Sequence, residues 1–367
     1  MKFLFLLFIV VNSAFAFSPE PREVYHQDKG WWEVFPGGKT TCAYGAPYSF
    51  YFKEGDPTKL IIDFVGGGAC WSEKSCRRAA FRNNNNPMEG EVKGANGIYL
   101  KDNEKNPVGD WSHLVVGYCT GDLHWGDNVV SFGEGEKEFK IHFKGAINAR
   151  AALSWIFERV KRPEKVLITG TSAGSYASVY WAPTIIERYK KTAFTISQMG
   201  DSGAGVITQK FFQDSFSNWN ALKNIPTWIP GLSDFQTNWM DKDLSDIYKA
   251  VGDHYPDYTF SQFNFSHDQG QIFFLELMKE EEAEKSDDID IDELFYKTLS
   301  KSNLHLTHNL SNYTFFTAAG LEHSFIPSKE YYSLVNEGVS FLEWFTHLTN
   351  GGTPAPVECQ NCEDQID

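Results

Sequence analysis

The sequence is short of positive charge. Its 33 lysines and arginines stand against 48 aspartates and glutamates, which gives a formal net charge of −15. A protein that binds nucleic acid or an anionic membrane surface needs clustered cations, so this balance argues against both kinds of partner. It also disfavours a fully ionised polyuronate as substrate, but not a neutral or esterified glycan.

Long hydrophobic runs are also missing. The longest extends from Phe3 to Val11, whereas a membrane-spanning helix needs about 20 apolar residues. Lys2 precedes this run and the small-residue motif Ala-Phe-Ala follows it at 14–16, as in a secretory signal peptide. We therefore predict a cleaved signal peptide at 1–16, a secreted protein and no membrane span in the mature chain. An uncleaved anchor is the less favoured alternative.

Cysteine is scarce, and no histidine or cysteine spacing matches a zinc site. The pairs closest in sequence are Cys70 with Cys76 and Cys359 with Cys362, and exported chains use such pairs as disulfides. A lone Cys-x-x-Cys is weak support for metal or redox chemistry, so we interpret Cys359 and Cys362 as structural. We predict no metal and no cofactor. Three sequons are candidate glycosylation sites in a eukaryotic host: Asn264, Asn309 and Asn312.

Strand-like and helix-like patterns alternate along the chain. Strands are predicted at 31–35, 48–52, 60–65, 114–118, 165–169, 194–199 and 313–317, and helices at 145–159, 173–189 and 329–348. Such alternation predicts an α/β fold, with a mainly parallel sheet covered by helices on both faces. We interpret 17–350 as one catalytic domain, 210–310 as a helical and irregular insertion without clear strands over the carboxyl edge of the sheet, and 351–367 as an acidic tail.

The strongest chemical signal is Gly170-Thr171-Ser172-Ala173-Gly174. A bare Gly-x-Ser-x-Gly occurs by chance in about one chain of this length in eight, so its surroundings must decide. Here an apolar strand precedes the motif and a helix follows it, which is the setting of a nucleophile elbow in an α/β-hydrolase fold. We predict Ser172 as the nucleophile; the alternative is a plain turn between a strand and a helix.

Serine also needs a base and oxyanion donors. The triplet Gly66-Gly67-Gly68 follows the buried strand at 60–65, where this fold supplies one oxyanion donor, and the backbone N–H of Ala173 would supply the other. The fold places its histidine after the last strand, which favours His323 over His305, His308 and His347. For the acid, the pattern leaves two residues open. Asp201 follows a strand and could instead brace a loop, and Asp268 precedes a helix and could instead cap it.

Taken in order, these motifs resemble the pectin acetylesterase family, which also includes the Notum-type carboxylesterases. The resemblance covers about residues 40–325 and rests on Cys42-Ala-Tyr-Gly45-Ala-Pro47, Gly66-Gly-Gly68-Ala-Cys70-Trp71, Gly117-Tyr-Cys119-Thr-Gly-Asp122, Gly170-Thr-Ser172-Ala-Gly174-Ser175, Asp268-Gln-Gly-Gln271 and Glu322-His323-Ser324. The sequence departs from plant and Notum-like members at Ala69, where those typically have a tryptophan.

The resemblance implies a serine esterase and assigns several roles. It favours Asp268 over Asp201 as the acid, and it supports disulfides between Cys70 and Cys76 and between Cys42 and Cys119. It places the oxyanion hole at the backbone of Gly67, Gly68, Ala69 and Ala173. It leads us to expect four residues at the substrate: Trp71, Asp122, His124 and Trp125.

The expected reaction is a two-step acyl transfer through Ser172, His323 and Asp268. The expected substrate is an O-acetylated glycan such as pectin, or another acyl ester, and we expect a monomer. A Notum-like lipid carboxylesterase would keep the mechanism and change the acyl group. A third alternative is a non-catalytic glycan-binding protein on a hydrolase scaffold, which would use Trp71, Trp125 and the aromatic insertion to hold sugar.

Overall fold

A nine-stranded sheet forms the centre of the computed structural model, which describes residues 20–84, 96–282, 290–360 and 362. The predicted signal peptide at 1–16 lies outside the described residues, as does most of the tail after 360. No helix in the described ranges is both long and apolar enough to cross a bilayer.

The strands are β1 (Arg22–His26), β2 (Trp31–Phe35), β3 (Phe50–Lys53), β4 (Asp56–Phe64), β5 (Trp111–Val116), β6 (Asn128–Phe132), β7 (Phe139–Phe143), β8 (Lys165–Thr171), β9 (Thr195–Asp201), β10 (Thr259–Phe265), β11 (Tyr313–Ala318), β12 (Val335–Asn336) and β13 (Val339–Ser340).

Ten α-helices lie in the described ranges. They are α1 (Glu73–Arg78), α2 (Gly145–Arg159), α3 (Ala173–Tyr189), α4 (Gln209–Trp219), α5 (Pro230–Ser233), α6 (Phe235–Asn238), α7 (Leu244–His254), α8 (Gln269–Lys279), α9 (Ile291–Asn309) and α10 (Phe341–Thr349). Short 3-10 turns occur at Gly97–Tyr99, Gly135–Lys137, Ala221–Asn224, Trp239–Asp241 and Lys329–Tyr332.

The sheet is parallel over most of its width. Its strand order is β1-β2-β3-β5-β4-β8-β9-β10-β11. The pairs from β1 to β5 are antiparallel, and every pair from β5 to β11 is parallel. The predicted α/β architecture with a mainly parallel sheet is confirmed, and the carboxyl ends of β4, β8, β9, β10 and β11 therefore meet at one edge.

Two apolar cores cover the two faces of the sheet. Successive side chains of a strand point to opposite faces, so Val166 and Ile168 join a core with α2, α3 and α7, whereas Leu167 joins a core with α10. Both faces of β8 are therefore buried. This explains why the central strands have nearly continuous apolar sequences.

The interpretation of 210–310 as lacking strands is wrong for β10, which lies inside the sheet between β9 and β11. All of its residues are buried, although several of them are polar. The polar groups find partners in the sheet: the Ser261 hydroxyl donates to the carbonyl of Gln198 at 2.8 Å. Buried polar side chains are tolerated when they are hydrogen-bonded, so this central strand does not need a continuous apolar sequence. The pattern by which the other central strands were predicted is therefore missing here. The elements on either side of β10, α4–α7 and α8–α9, are helical.

The helix predicted at 329–348 begins later, at Phe341. A short hairpin of β12 and β13 precedes it, and Glu337 and Gly338 form the turn with positive φ at both positions. Ser340 then caps the helix by accepting a hydrogen bond from the N–H of Glu343.

Three disulfides join the six cysteines. The bonds are Cys42–Cys119, Cys70–Cys76 and Cys359–Cys362. The first ties the segment before β3 to the loop after β5, and the second ties the end of the glycine loop to α1. Both therefore restrain loops at the carboxyl edge of the sheet.

The three sequon asparagines differ in solvent exposure. Asn309 is exposed, but Asn264 is 1% exposed within β10 and Asn312 is 7% exposed. The Asn264 side chain accepts a hydrogen bond from Gln271, and the Asn312 amide lies within bonding distance of the carbonyls of Gly252, Tyr255 and Tyr258. The predictions of glycans at Asn264 and Asn312 are therefore wrong for the folded chain. Both side chains are buried and hydrogen-bonded, so neither leaves room for an attached sugar.

When the protein is secreted from a eukaryotic host, we expect one N-glycan, on Asn309. Endoglycosidase treatment should shift the mass of the wild-type protein and leave Asn309→Gln unchanged. Asn264→Gln and Asn312→Gln serve as matched controls that should retain the shift. Site mapping that finds a glycan on Asn264 or Asn312 of the folded protein would contradict this.

Candidate active site

Ser172 lies in a strained turn between β8 and α3. Its φ is 54° and its ψ is −121°, in a region that L-residues other than glycine rarely occupy. The surrounding backbone holds it there: the Ser172 N–H donates to the carbonyl of Asp201 at 2.8 Å, and the Ser175 N–H donates to the carbonyl of Ser172 at 2.9 Å. Such strain is characteristic of a nucleophile elbow, in which the serine side chain projects from the turn.

The glycines beside Ser172 are required by close packing against β4. A Cβ on Gly174 would lie 1.7 Å from the carbonyl oxygen of Phe64, and one on Gly170 would lie 2.3 Å from the carbonyl oxygen of Gly174. On the facing segment, a Cβ on Gly66 would lie 2.7 Å from the Cβ of Ser172. Glycine at these positions therefore allows the end of β4 to touch the elbow.

His323 follows β11 and contacts a buried carboxylate. Its Nδ1 lies 2.7 Å from Oδ1 and 3.0 Å from Oδ2 of Asp268, whose side chain is fully buried. Asp268 also caps α8 by accepting a hydrogen bond from the Gln271 N–H at 3.0 Å. The same carboxylate thus contacts the imidazole and caps the helix.

The surroundings of His323 favour its charged form. Burial acts against the imidazolium, but the hydrogen bond and charge of Asp268, together with the charge of Asp201, outweigh it and raise the pKa of His323 above 6.5. A general base that must carry a proton during the reaction needs this kind of support.

Asp201 contacts the histidine loop instead of the imidazole. Its carboxylate accepts hydrogen bonds from the N–H groups of Phe325 and Ile326, each at 2.7 Å, and from the Ser202 hydroxyl at 2.9 Å. Burial raises the pKa of this carboxyl to about 7. The geometry therefore gives Asp268 the direct contact with His323 and Asp201 the contact with the loop backbone.

The glycine loop after β4 is fixed beside Ser172. Gly67 and Gly68 have φ values of 148° and 71°, which glycine adopts without strain. The Gly67 carbonyl accepts a hydrogen bond from the Arg82 N–H, and the Gly68 carbonyl accepts one from the Tyr118 hydroxyl. A cavity that contains Ser172 and His323 is lined by Gly68, Ala69 and Ala173, three of the four residues predicted for the oxyanion hole.

This inner cavity is mainly apolar. Its other lining residues come from the loop after β5, from α3, from the loop after β9 and from α4 and α8: Leu123, Tyr176, Ser202, Val206, Ile207, Phe211, Gln271, Phe274 and Met278. In the described part of the chain, no group of three or more His, Cys, Asp or Glu residues is arranged to hold a metal ion.

A second, open groove adjoins the inner cavity. Gly67, Arg82, Ser172, Phe273 and His323 are among the residues that line it. Ser172 and His323 line both spaces. An ester bound at Ser172 can therefore place its acyl group on one side and its alcohol on the other.

The four residues expected at the substrate do not line the inner cavity or the groove. Trp71 and Trp125 are 1% and 2% exposed; the Trp71 indole donates to Glu281, and Trp125 stacks on Tyr180. The family resemblance placed both tryptophans at the substrate, but packing buries both rings.

The two polar members of that set are structural as well. Asp122 accepts a hydrogen bond from the N–H of Gly145 at the start of α2, and burial raises the pKa of its carboxyl to about 6. His124 Nε2 lies 2.9 Å from the Val65 carbonyl, and burial lowers its pKa to about 4. Only the neighbouring Leu123 reaches the cavity from this loop.

Sequence reasoning missed most of the apolar wall and one glycine. Phe274 and Met278 are four residues apart on α8 and so lie on one face of the helix. This spacing, close to the Asp268–Gln271 motif, could have indicated that both line the site. Gly270 lies under the imidazole: a Cβ there would be 2.4 Å from Cγ and 2.6 Å from Nδ1 of His323. The small residue in the first turn of α8 therefore makes room for the histidine.

Comparisons with known proteins bear on the family and the fold of this chain. The family model described as pectinacetylesterase matches residues 37–232. Two crystal forms of the Wnt deacylase Notum from Drosophila have TM-scores of 0.61 at 16% identity; the aligned region covers 92% and 93% of this chain and 96% and 97% of those chains. This likeness shows a shared fold, of the α/β-hydrolase type. No curated protein sequence matches the chain significantly.

Gly270→Ala should displace His323 while leaving α8 intact. The new Cβ would overlap the imidazole, and a shift of about 1 Å at a reacting group can cost about a hundredfold in rate. We expect kcat for ester hydrolysis to fall roughly 10- to 100-fold, with no loss of melting temperature because alanine favours a helix. Glu276→Ala, at an exposed position of the same helix, is the control and should retain kcat. A Gly270→Ala protein with wild-type kcat would rule out this role for the glycine.

Proposed function

The chain belongs to the pectinacetylesterase family and is a carboxylesterase of acylated substrates, and we propose that it works through Ser172 as nucleophile, His323 as general base and Asp268 as orienting acid. One observation carries this proposal. A buried carboxylate contacts the Nδ1 of a histidine that shares a cavity with a strained serine. Those three roles in that arrangement are what acyl transfer requires.

The first half of the reaction forms an acyl-enzyme. His323 Nε2 accepts the proton of Ser172 as Oγ attacks the ester carbonyl, and Asp268 stabilises the resulting imidazolium. Backbone N–H groups of the Gly67–Ala69 loop and of Ala173 hold the oxyanion. The tetrahedral intermediate then collapses, the bond to the alcohol oxygen breaks, and His323 returns its proton to the departing alcohol.

The second half repeats these steps with water. His323 accepts a proton from water as the water oxygen attacks the acyl carbon. The same donors hold the second oxyanion. The bond to Ser172 Oγ breaks, the serine regains a proton from His323, and the carboxylic acid leaves. No group beyond this chain and water is needed to balance the two steps.

The first candidate substrate is an O-acetylated glycan such as pectin, which is supported by the family. The alcohol would occupy the open groove, where a large sugar chain has room, and the acyl group would face the inner cavity. The alternative of non-catalytic glycan binding loses the support of Trp71 and Trp125, since both are buried.

The inner cavity favours a second candidate, an ester with a longer hydrocarbon acyl group. Its wall is largely apolar, with Tyr176, Phe211, Phe274 and Met278 among its residues. Burial of each further methylene in such a space is favourable by about 0.8 kcal/mol.

We also propose that the protein is secreted. Three disulfides persist most readily in an oxidising compartment, and the sequence pattern at 1–16 is that of a signal peptide. The three bonds lie in the region described, so this support does not depend on the signal peptide itself.

Ser172→Ala should abolish turnover of p-nitrophenyl esters. Removal of the nucleophile leaves only the oxyanion donors and binding, so we expect kcat to fall by at least about 10³-fold while the melting temperature is retained. Ser175→Ala, three residues along α3 and buried, is the matched control and should retain most of the activity. Unchanged hydrolysis by purified Ser172→Ala would refute the proposed mechanism.

An acyl-length series separates the two candidate substrates. If the inner cavity holds the acyl chain, kcat/KM for p-nitrophenyl esters should rise from acetate to octanoate by up to about fourfold per methylene. Val206→Phe should remove the rise in kcat/KM with acyl length and leave kcat/KM for the acetate ester unchanged. The surface substitution Val129→Phe should change kcat/KM for neither short nor long esters. A preference of the wild-type protein for acetate over octanoate by orders of magnitude would instead support the acetylesterase.

A further inference from the structure

Asp201, at the end of β9, touches both loops that carry the reacting groups. Its backbone carbonyl accepts the hydrogen bond of the Ser172 N–H at 2.8 Å, directly at the nucleophile. Its side-chain Oδ2 accepts from the N–H groups of Phe325 and Ile326, two and three residues after His323. One buried residue therefore connects the elbow to the histidine loop, which come from distant parts of the sequence.

Ser202 adds a second link to the same loop. Its hydroxyl donates to Oδ1 of Asp201 at 2.9 Å and accepts from the N–H of Ser324 at 3.0 Å. Ser202 and Ser324 have φ values of 57° and 74°, which non-glycine residues adopt only when their surroundings hold them. The network thus constrains three consecutive N–H groups directly after His323.

We propose that Asp201 is a positioning residue that joins the nucleophile elbow to the histidine loop. The inference rests on the proposed function, because it assumes that Ser172 and His323 react. Asp201 itself lines neither the inner cavity nor the groove, so it acts through these two residues and not on the substrate.

The negative charge of Asp201 also acts on His323, whose pKa it raises. The titratable groups around His323 are Asp268, Asp201, the adjacent Glu322, Arg82 in the groove and Tyr176 in the cavity. Burial acts against the charged imidazole, and Asp268 and then Asp201 raise its pKa. The negative charge of Asp201 favours the imidazolium, while burial raises the pKa of the Asp201 carboxyl itself to about 7. Removal of the Asp201 charge should therefore lower the pKa of His323.

Asp201→Asn separates the charge from the geometry. The amide oxygen can still accept from Phe325 and Ile326, so we expect kcat on the alkaline plateau to remain within about tenfold of wild type. The acid limb of kcat/KM against pH should move to lower pH, since the base stays neutral over a wider range. Asp201→Ala removes the acceptor as well and should lower kcat roughly 100-fold, with KM for p-nitrophenyl esters little changed.

Asp63→Asn is the matched control. Asp63 is a buried carboxyl in β4 whose partners are Tyr99 at 2.5 Å and His113 at 3.3 Å, and none of these three residues lines the cavity or the groove. Its substitution should affect melting temperature but neither plateau kcat nor the acid limb.

Two results would overturn the proposal. One is an acid limb of Asp201→Asn that coincides with wild type and with Asp63→Asn; the other is a wild-type kcat in folded Asp201→Ala. If Asp201→Ala does not fold, the pH profile of Asp201→Asn still decides. Retained activity of Ser172→Ala would instead refute the proposed mechanism, so the two failures are distinguishable.

Discussion

The contact between His323 and the buried carboxylate of Asp268 is the interaction on which the site depends. It joins the loops after two neighbouring parallel strands, β10 and β11, whose residues pair in register from Phe260 with Tyr313 to Phe265 with Ala318. The register matters because it brings the carboxyl ends of both strands to one level. β8 and β9 are held at the same level by pairing of Thr171 with Asp201, so the serine reaches the same edge. Sheet topology thus assembles the reacting groups before any loop is considered.

The sequence could predict those features of the site that lie within one short stretch of the chain. The elbow around Ser172 is a contiguous strand, turn and helix, and the glycine triplet directly follows an apolar strand, so both are visible in short windows of sequence. His323 could be selected by its order after the last strand. Asp201 and Asp268 could not be separated in this way, because each had a structural role open to it, as a loop brace or as a helix cap. Their difference lies in which part of the histidine loop each carboxylate meets, and that depends on long-range packing.

The substrate-facing residues show the same limit. The inner cavity is assembled from several separate elements, so Tyr176, Phe211 and Phe274 carry no common pattern along the chain. Trp71 and Trp125 looked suitable because aromatic side chains near a glycine loop can bind sugar, but they pack into the core. β10 was missed for a related reason: its buried polar residues are satisfied by neighbouring strands, which composition alone does not reveal.

Covalent labelling tests the central claim most directly, that Ser172 is the activated nucleophile. A fluorophosphonate reacts with a serine only when a base and oxyanion donors activate it. The folded protein should take up one phosphonyl group, and peptide mapping by mass spectrometry should place it on Ser172. No labelling of folded protein, or an adduct on another serine, would contradict the account.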